Sequence, residues 1–229
     1  MLRGTLLRLW SPGALLSVIS LLAFALAPPT SSATATITFT FDFPGSQPDH
    51  YEIVVNADGH ATYDSSGKSD SDGEHGEPFH LGVTLPASTS ERIFDLAKRA
   101  NYFRSTIDSG KKNLAMTGVK TLAYKDDDKT GRATYNYSQI QAVQSLTAFF
   151  QDFSNTMEFG RRIEFYRRYQ KLALDDELKR MEAAAKQNTL EGLPALSPIL
   201  QQIASDSTII NPVRSRAQRL LELATAQSK

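Results

Sequence analysis

The sequence predicts an α+β fold, in which a mainly antiparallel sheet carries helices on one face and is followed by a C-terminal helical hairpin or three-helix tail. Apolar and polar side chains alternate over residues 36–63, which is typical of half-buried strands. Helical spacing of apolar residues follows at 88–100 and 138–153, with strand patterns between them. Beyond residue 155 helical spacing alone remains. The predicted parts are an export signal at 1–33, an α+β domain at 34–155 and a helical tail at 156–229.

The predicted strands are short and rich in β-branched and aromatic residues. In the first, Ile37, Phe39 and Phe41 alternate with threonines. The alternation over 51–63 is interrupted by Asn-Ala-Asp-Gly, which predicts a hairpin whose Gly59 takes a positive φ. Three more strands are predicted at 79–85, 119–124 and 133–137.

Tyr124, Tyr135 and Tyr137 lie on the last two predicted strands, and two interpretations of them are open. Aromatic side chains on neighbouring strands offer a stacking surface for sugars or peptides. Aromatic strand faces also build hydrophobic cores, and a place in the core is the preferred interpretation.

Residues 64–77 are polar, acidic and rich in glycine and serine, which predicts a mobile loop. The spacing does not match an EF-hand, because the sixth position counted from Asp70 is His75 rather than glycine. A solvated loop is therefore the preferred interpretation, and whether it binds a cation stays open. The candidate ligands for a hard cation or zinc are Asp70, Asp72, His75 and Glu77.

The tail is predicted to be helical from Met157 to about Gln187, a stretch without proline. Acidic residues precede basic ones by four positions, as in Glu158 and Arg162, which supports an exposed helix. Two shorter helices are predicted around 196–203 and 213–224. Helices of this kind pack as an antiparallel hairpin or a three-helix unit.

A group of basic residues near the start of the tail is a candidate surface for an acidic partner or an anionic membrane. Aromatic residues are interleaved with them, among them Phe165 and Tyr169. Glu158 and Glu164 offer pairing, so an ordinary solvated helix face is the preferred interpretation. The basic residues are Arg161, Arg162, Arg167, Arg168 and Lys171.

The first 33 residues have the order of a secretory signal peptide. Arg3 and Arg8 precede an uncharged apolar segment at 13–27, and small residues follow it. Cleavage is expected after Ala33 or Ala35, which would leave no stable membrane anchor and place the protein in the periplasm or outside the cell. A retained anchor is the alternative, although the 15 residues of the apolar segment fall short of the ~20 that a membrane span needs.

The composition of the chain excludes several kinds of catalytic and binding site. The absence of cysteine excludes thiol catalysis, cysteine-based zinc sites and a lipidated cysteine anchor. Without Arg3 and Arg8, 23 basic residues remain against 25 acidic ones, which argues against a nucleic-acid binder. The sequence has neither a glycine-rich phosphate loop nor a Gly-x-Ser-x-Gly turn, so no cofactor and no nucleophile are predicted.

Residues 37–153 resemble a family of small exported bacterial domains of unknown function. The shared features are an early strand, a hairpin with Asp58 and Gly59 before Tyr63, and a helix followed by the aromatic pair Tyr102 and Phe103. The resemblance implies the α+β fold and no functional residues, and this chain lacks the cysteine that family members often carry near the first strand. Residues 193–221 are separately similar to one HEAT-like helical repeat.

Three functions remain open at this point. The leading hypothesis is a non-catalytic exported protein that acts as a binding or interaction module and docks a protein partner through the helical tail. The first alternative is a hydrolase of envelope polymers that uses carboxylates and a histidine. The second is a peripheral membrane protein that uses the basic helix face at 161–171.

Overall fold

Six strands form a single antiparallel sheet in the order β4-β3-β2-β1-β5-β6 within the residues that the computed structural model describes, 34–68 and 75–228. Five α-helices accompany the sheet in these ranges. The predicted α+β class is confirmed, including the helical C-terminal region. The strands are β1 Thr36–Asp42, β2 His50–Asn56, β3 His60–Lys68, β4 His75–Thr84, β5 Val119–Lys125 and β6 Thr130–Tyr135. The helices are α1 Ala87–Arg99, α2 Gln141–Tyr169, α3 Ala173–Lys186, α4 Ser197–Ser205 and α5 Asn211–Gln227.

The first strand lies in the interior of the sheet, between β2 and β5. Phe39 is opposite Ile53 on one side and Leu122 on the other, so the apolar positions of three strands face the same side. The predicted hairpin between β2 and β3 is confirmed, and Gly59 has φ +88°. Positive φ at this position is accessible to glycine at little cost, and it closes the turn.

The first hydrophobic cluster lies between the sheet, α1 and the N-terminal half of α2. Phe39 stacks on Phe150 of α2 with ring centroids 5.0 Å apart. Ile93 and Ala97 of α1 are fully buried in the same cluster. The interpretation of Tyr124 and Tyr135 as core residues is confirmed, because both are buried here.

Residues Asn101–Phe103 form a tight left-handed turn after α1, with φ between +52° and +60° at all three positions. Left-handed backbone costs an ordinary residue about 1–2 kcal/mol, so packing has to hold the turn in place. Phe103 is buried in the first cluster, and the ring of Tyr102 lies 4.7 Å from that of Tyr124.

The long helix α2 corrects the sequence prediction, which divided this region into a helix at 138–153 and another from Met157. A single helix runs through 141–169 and across residue 155. Its polar residues at the expected break are accommodated: Ser154 lies within hydrogen-bond distance of the Tyr63 hydroxyl, and Thr156 donates to the Asp152 carbonyl. The helix ends instead at Tyr169, and the chain turns back over 170–172 so that α3 packs against α2.

The second hydrophobic cluster holds the C-terminal region together. Ile163 of α2 packs there with residues of α3, α4 and α5 and of the short 3₁₀ turn Leu193–Leu196. Gly160 lets this turn approach α2 closely, because an added Cβ would lie 2.5 Å from the Cδ2 atom of Leu196. No helix in the described ranges is both long and apolar enough to cross a bilayer.

The predicted mobile loop at 64–77 is wrong at both of its ends. Residues 64–68 belong to β3 and residues 75–77 to β4, with Lys68 opposite His75. Backbone pairing between neighbouring strands outweighs the low strand propensity of glycine and serine in this stretch. Residues 69–74 lie outside the described residues.

Candidate functional site

The structure describes the backbone of only two of the four candidate cation ligands, His75 and Glu77. Asp70 and Asp72 lie outside the described residues, and His75 and Glu77 belong to β4. Among the described residues, no group of three or more histidine or acidic side chains is arranged to hold a metal ion.

Two histidines of the sheet form separate pairs with aspartates. The Nδ1 atom of His50 lies 2.6 Å from Asp42, and that of His80 lies 2.6 Å from Asp64. Both pairs join neighbouring strands and are solvent-accessible. Neither pair lines any of the three clefts described below.

Arg161 and Arg162, the first two predicted surface residues, point into the protein. The Nε atom of Arg161 lies 3.2 Å from the buried Glu158 carboxylate, and its guanidinium lies over the Phe79 ring. Arg162 donates from Nε to Glu177 at 2.6 Å, which joins α2 to α3. These two arginines therefore act as internal connections between elements.

The other predicted basic residues lie toward the C-terminal end of α2. Arg168 pairs with Glu164 one turn earlier, and Lys171 donates to the Thr208 hydroxyl at 2.6 Å. Hydrogen bonds from Thr208 hold the pKa of Asp206 below its usual range, and the charges of Lys171 and Arg167 act in the same direction. Arg161 and Arg162 are thus paired with buried acidic residues, whereas Arg167 and Lys171 both lie near Asp206.

A cleft of about 450 Å³ opens between α1, the segment after α3 and the last turns of α5. Its floor includes the fully buried Leu193 and the nearly buried Leu190. Arg92 of α1 donates to Glu191 at 2.7 Å across the rim, and its guanidinium lies 5.3 Å from the centre of the Phe149 ring. The volume is in the range of ligand-binding clefts.

A second cleft of about 440 Å³ lies between α3 and α5 and shares Ala185 and Leu223 with the first. We call the two together the α3–α5 groove. Leu223 is an exposed leucine at the point where the clefts meet. The second cleft is bordered by charged side chains of both signs: Glu182, Lys186 and Arg219.

Salt bridges and packing fix the walls of the groove. Arg219 donates from Nε to Glu182 at 2.9 Å, and Arg216 donates from Nε to Asp175 at 2.9 Å, so α5 is tied to α3 in two places. Buried Met181 and Leu220 pack in the second cluster beneath these bridges. The groove is therefore largely preformed, which reduces the entropy lost on binding.

Acidic side chains near the first cleft influence one another. Burial raises the pKa of Asp152 above its usual range, and the negative charge of Glu191 raises it further. A carboxyl group with a raised pKa beside a second carboxylate is a feature of acid–base sites as well as of structural networks.

The preferred core interpretation is wrong for Tyr137, which shares a cleft with the buried Tyr135 but is itself exposed. Tyr137 is exposed and lines a third cleft of about 360 Å³, where its hydroxyl accepts a hydrogen bond from Gln144 at 3.2 Å. The hydroxyl of buried Tyr135 lies 2.5 Å from the Thr147 hydroxyl. The three tyrosines do not form the stacking surface that the sequence left open.

The groove was not predicted from the sequence, although its elements were. The apolar pattern of the last helix places Leu220 and Ala224 on the buried face, and Leu223 falls outside that pattern. An exposed leucine is common on protein surfaces and gives no signal alone. Only its position between α3 and α5 makes it part of a groove.

Comparison with known proteins does not assign the chain to a family. No protein-family model matches it, and a search of the curated proteins finds no significant match. The resemblances of residues 37–153 and 193–221 therefore stay predictions.

Proposed function

We propose that this chain is an exported, non-catalytic interaction module that binds a peptide segment of a partner protein in the α3–α5 groove. The observation that carries the proposal is the continuity of two clefts through Ala185 and the exposed Leu223. Export rests on the residue order of the first 33 positions, which lie outside the described residues.

The shape of the groove favours a peptide. Two clefts of about 450 and 440 Å³ meet at Ala185 and Leu223, so the groove is continuous from α1 to the contact between α3 and α5. An extended or helical segment can place an apolar side chain on the exposed Leu223, where the two clefts meet. Apolar anchors in a groove with a polar rim are the usual basis of peptide recognition.

The charges on the rim favour a partner of mixed charge. Arg92 and Glu191 stand at one end, and Glu182 and Arg219 at the other, with Lys186 exposed between the helices. Charges of both signs contribute specificity and register more than affinity. We therefore expect a segment with apolar anchors flanked by both acidic and basic residues.

The test is selection from a displayed peptide library on the immobilised chain from residue 34, which contains both hydrophobic clusters. We expect the enriched peptides to share spaced apolar residues. Leu223→Asp, which places a charge on the groove, should weaken their binding at least about tenfold. Met116→Asp is the matched control, because Met116 is also exposed but does not line the groove.

Two results would contradict the proposal. One is the absence of any enriched peptide, and the other is equal binding by Leu223→Asp and Met116→Asp. Release of soluble fragments from an envelope polymer, lost on Asp152→Asn, would instead support the hydrolase alternative, for which the raised pKa of Asp152 is the favouring observation.

A further inference from the structure

Three large apolar side chains, two at the end of α2 and one in the turn after it, become more exposed along the chain. Phe165 is 48%, Tyr169 70% and Leu172 92% exposed. Phe165 and Tyr169 are four residues apart and lie on one side of α2, and Leu172 lies in the turn that follows the helix. The rings of Phe165 and Tyr169 lie 5.1 Å apart, so the first two form a continuous surface.

Basic side chains border this surface. The side chains of Arg168 and Lys171 are 55% and 47% exposed. The hydrogen bond from Lys171 to Thr208 brings the turn before α5 alongside, and this turn carries the exposed Ile210. We call Phe165, Arg168, Tyr169, Lys171 and Leu172 the α2 tip.

We propose that the α2 tip docks the protein on an anionic bilayer, independently of the peptide groove. Leu172 and Tyr169 enter the boundary between headgroups and acyl chains, and Phe165 follows them at shallower depth. Aromatic and leucine side chains are suited to this boundary, and long basic side chains reach from it to lipid phosphates. Arg168 and Lys171 are placed to make these phosphate contacts.

The charges beside the α2 tip determine how much apolar and electrostatic interactions each contribute to membrane binding. Glu164 lies beside Arg168, and Asp206 lies 3.8 Å from Lys171, so both basic groups are partly neutralised. The apolar side chains therefore supply most of the affinity, and anionic lipid adds a several-fold preference. Binding of this kind is reversible, as expected for a peripheral contact.

A second copy of the chain fits this surface less well than a bilayer. A standard protein interface buries about 800 Å² on each partner, and a large aromatic side chain supplies about 150–250 Å². Phe165 is already half-buried, so the three apolar side chains fall short of that area. Insertion into a lipid interface has no such requirement.

The experiment is co-sedimentation with vesicles of phosphatidylcholine alone and with added phosphatidylglycerol. It uses the chain from residue 34, because the apolar segment at 13–27 would bind vesicles by itself. We expect binding that is several-fold stronger to the anionic vesicles and that weakens at least about tenfold in the double variant Tyr169→Ser, Leu172→Ser. Arg168→Gln should reduce the anionic preference by a smaller factor.

Met116→Ser is the control, because it removes another exposed apolar side chain, one that lies away from α2. Unchanged vesicle binding in the double variant, or no binding by the unmodified chain to either vesicle, would overturn the proposal. Size-exclusion chromatography completes the test. A dimer that the double variant abolishes would assign the α2 tip to self-association and overturn membrane docking.

Discussion

The Tyr63 hydroxyl donates a hydrogen bond to the Glu158 carboxylate at 2.9 Å, and both side chains are buried between β3 and α2. Ser65 donates to the same carboxylate oxygen at 2.8 Å. The other oxygen of Glu158 faces Arg161 at 3.2 Å. A buried carboxylate is tolerated because donors on three sides replace its lost hydration. This polar cluster joins the sheet to the long helix in the middle of an aromatic core.

Removing the hydroxyl in Tyr63→Phe should lower the free energy of unfolding by about 1–2 kcal/mol, because Glu158 then lacks one donor. Urea denaturation measures the change. Tyr169→Phe removes the same atom from an exposed ring and should stay within about 0.5 kcal/mol of the unmodified chain. Equal effects of the two variants would show that the buried hydrogen bond contributes nothing to stability.

The buried tyrosines should make the fold sensitive to alkali. Burial raises the pKa of Tyr63 above its ordinary value of 10.0, and the charge of Glu158 raises it further. Burial also raises the pKa of Tyr51 and Tyr135, and it raises that of Tyr124 to about 12 with help from the bond to Asp126. A raised folded-state pKa means that the stability from the neutral hydroxyl is complete below pH 10 and is lost as the pH rises through the folded value.

We therefore expect four of the eight tyrosines to ionise together with unfolding, above pH 10. Near-ultraviolet absorbance reports tyrosinate, and circular dichroism of the same samples reports the fold. In concentrated denaturant all eight should ionise around pH 10. Ionisation of all eight around pH 10 with native circular dichroism would contradict the prediction.

Two strand glycines offer a matched comparison. An added Cβ at Gly131 of β6 would lie 2.0 Å from the Tyr102 carbonyl oxygen, whereas at Gly82 of β4 it would meet nothing within 4 Å. Gly131→Ala should therefore cost about 2–4 kcal/mol, because it displaces the left-handed turn at 101–103 from the sheet. Gly82→Ala should be neutral or slightly stabilising.

Thermal unfolding of the two variants checks this contrast. A clear loss of stability in Gly131→Ala with no loss in Gly82→Ala is the expected result. If Gly131→Ala unfolds like the unmodified chain, the turn at 101–103 can move away from β6 without loss of stability, and the prediction is wrong.

The strands and the hairpin turn were predictable because their signals are local. Side chains of β1 alternate with a period of two, and Gly59 follows a turn sequence that needs a positive φ. The end of the long helix was not predictable in this way. Neither proline nor glycine stands at 170–172, and the chain turns there because Ile163 packs with Leu174 and Leu178 of α3.

The candidate surfaces likewise have some features that the sequence predicted and others that depend on tertiary contacts. The basic residues near 161–171 were visible in the sequence, but the partners of Arg161 and Arg162 are acidic residues that only the folded chain brings close. Leu172 is not among the apolar positions that recur at helical spacing in the tail, and its 92% exposure depends on the turn after α2.

By itself, the sequence determined the α+β class, the strand faces and the helical character of the C-terminal region, since these follow from periodicities of two and 3.6 residues. Tertiary structure decided the continuity of α2, the α3–α5 groove and the exposed tip of α2. These features depend on contacts between residues far apart in the chain, such as Arg216 with Asp175, and no local pattern encodes which distant side chain will be the partner.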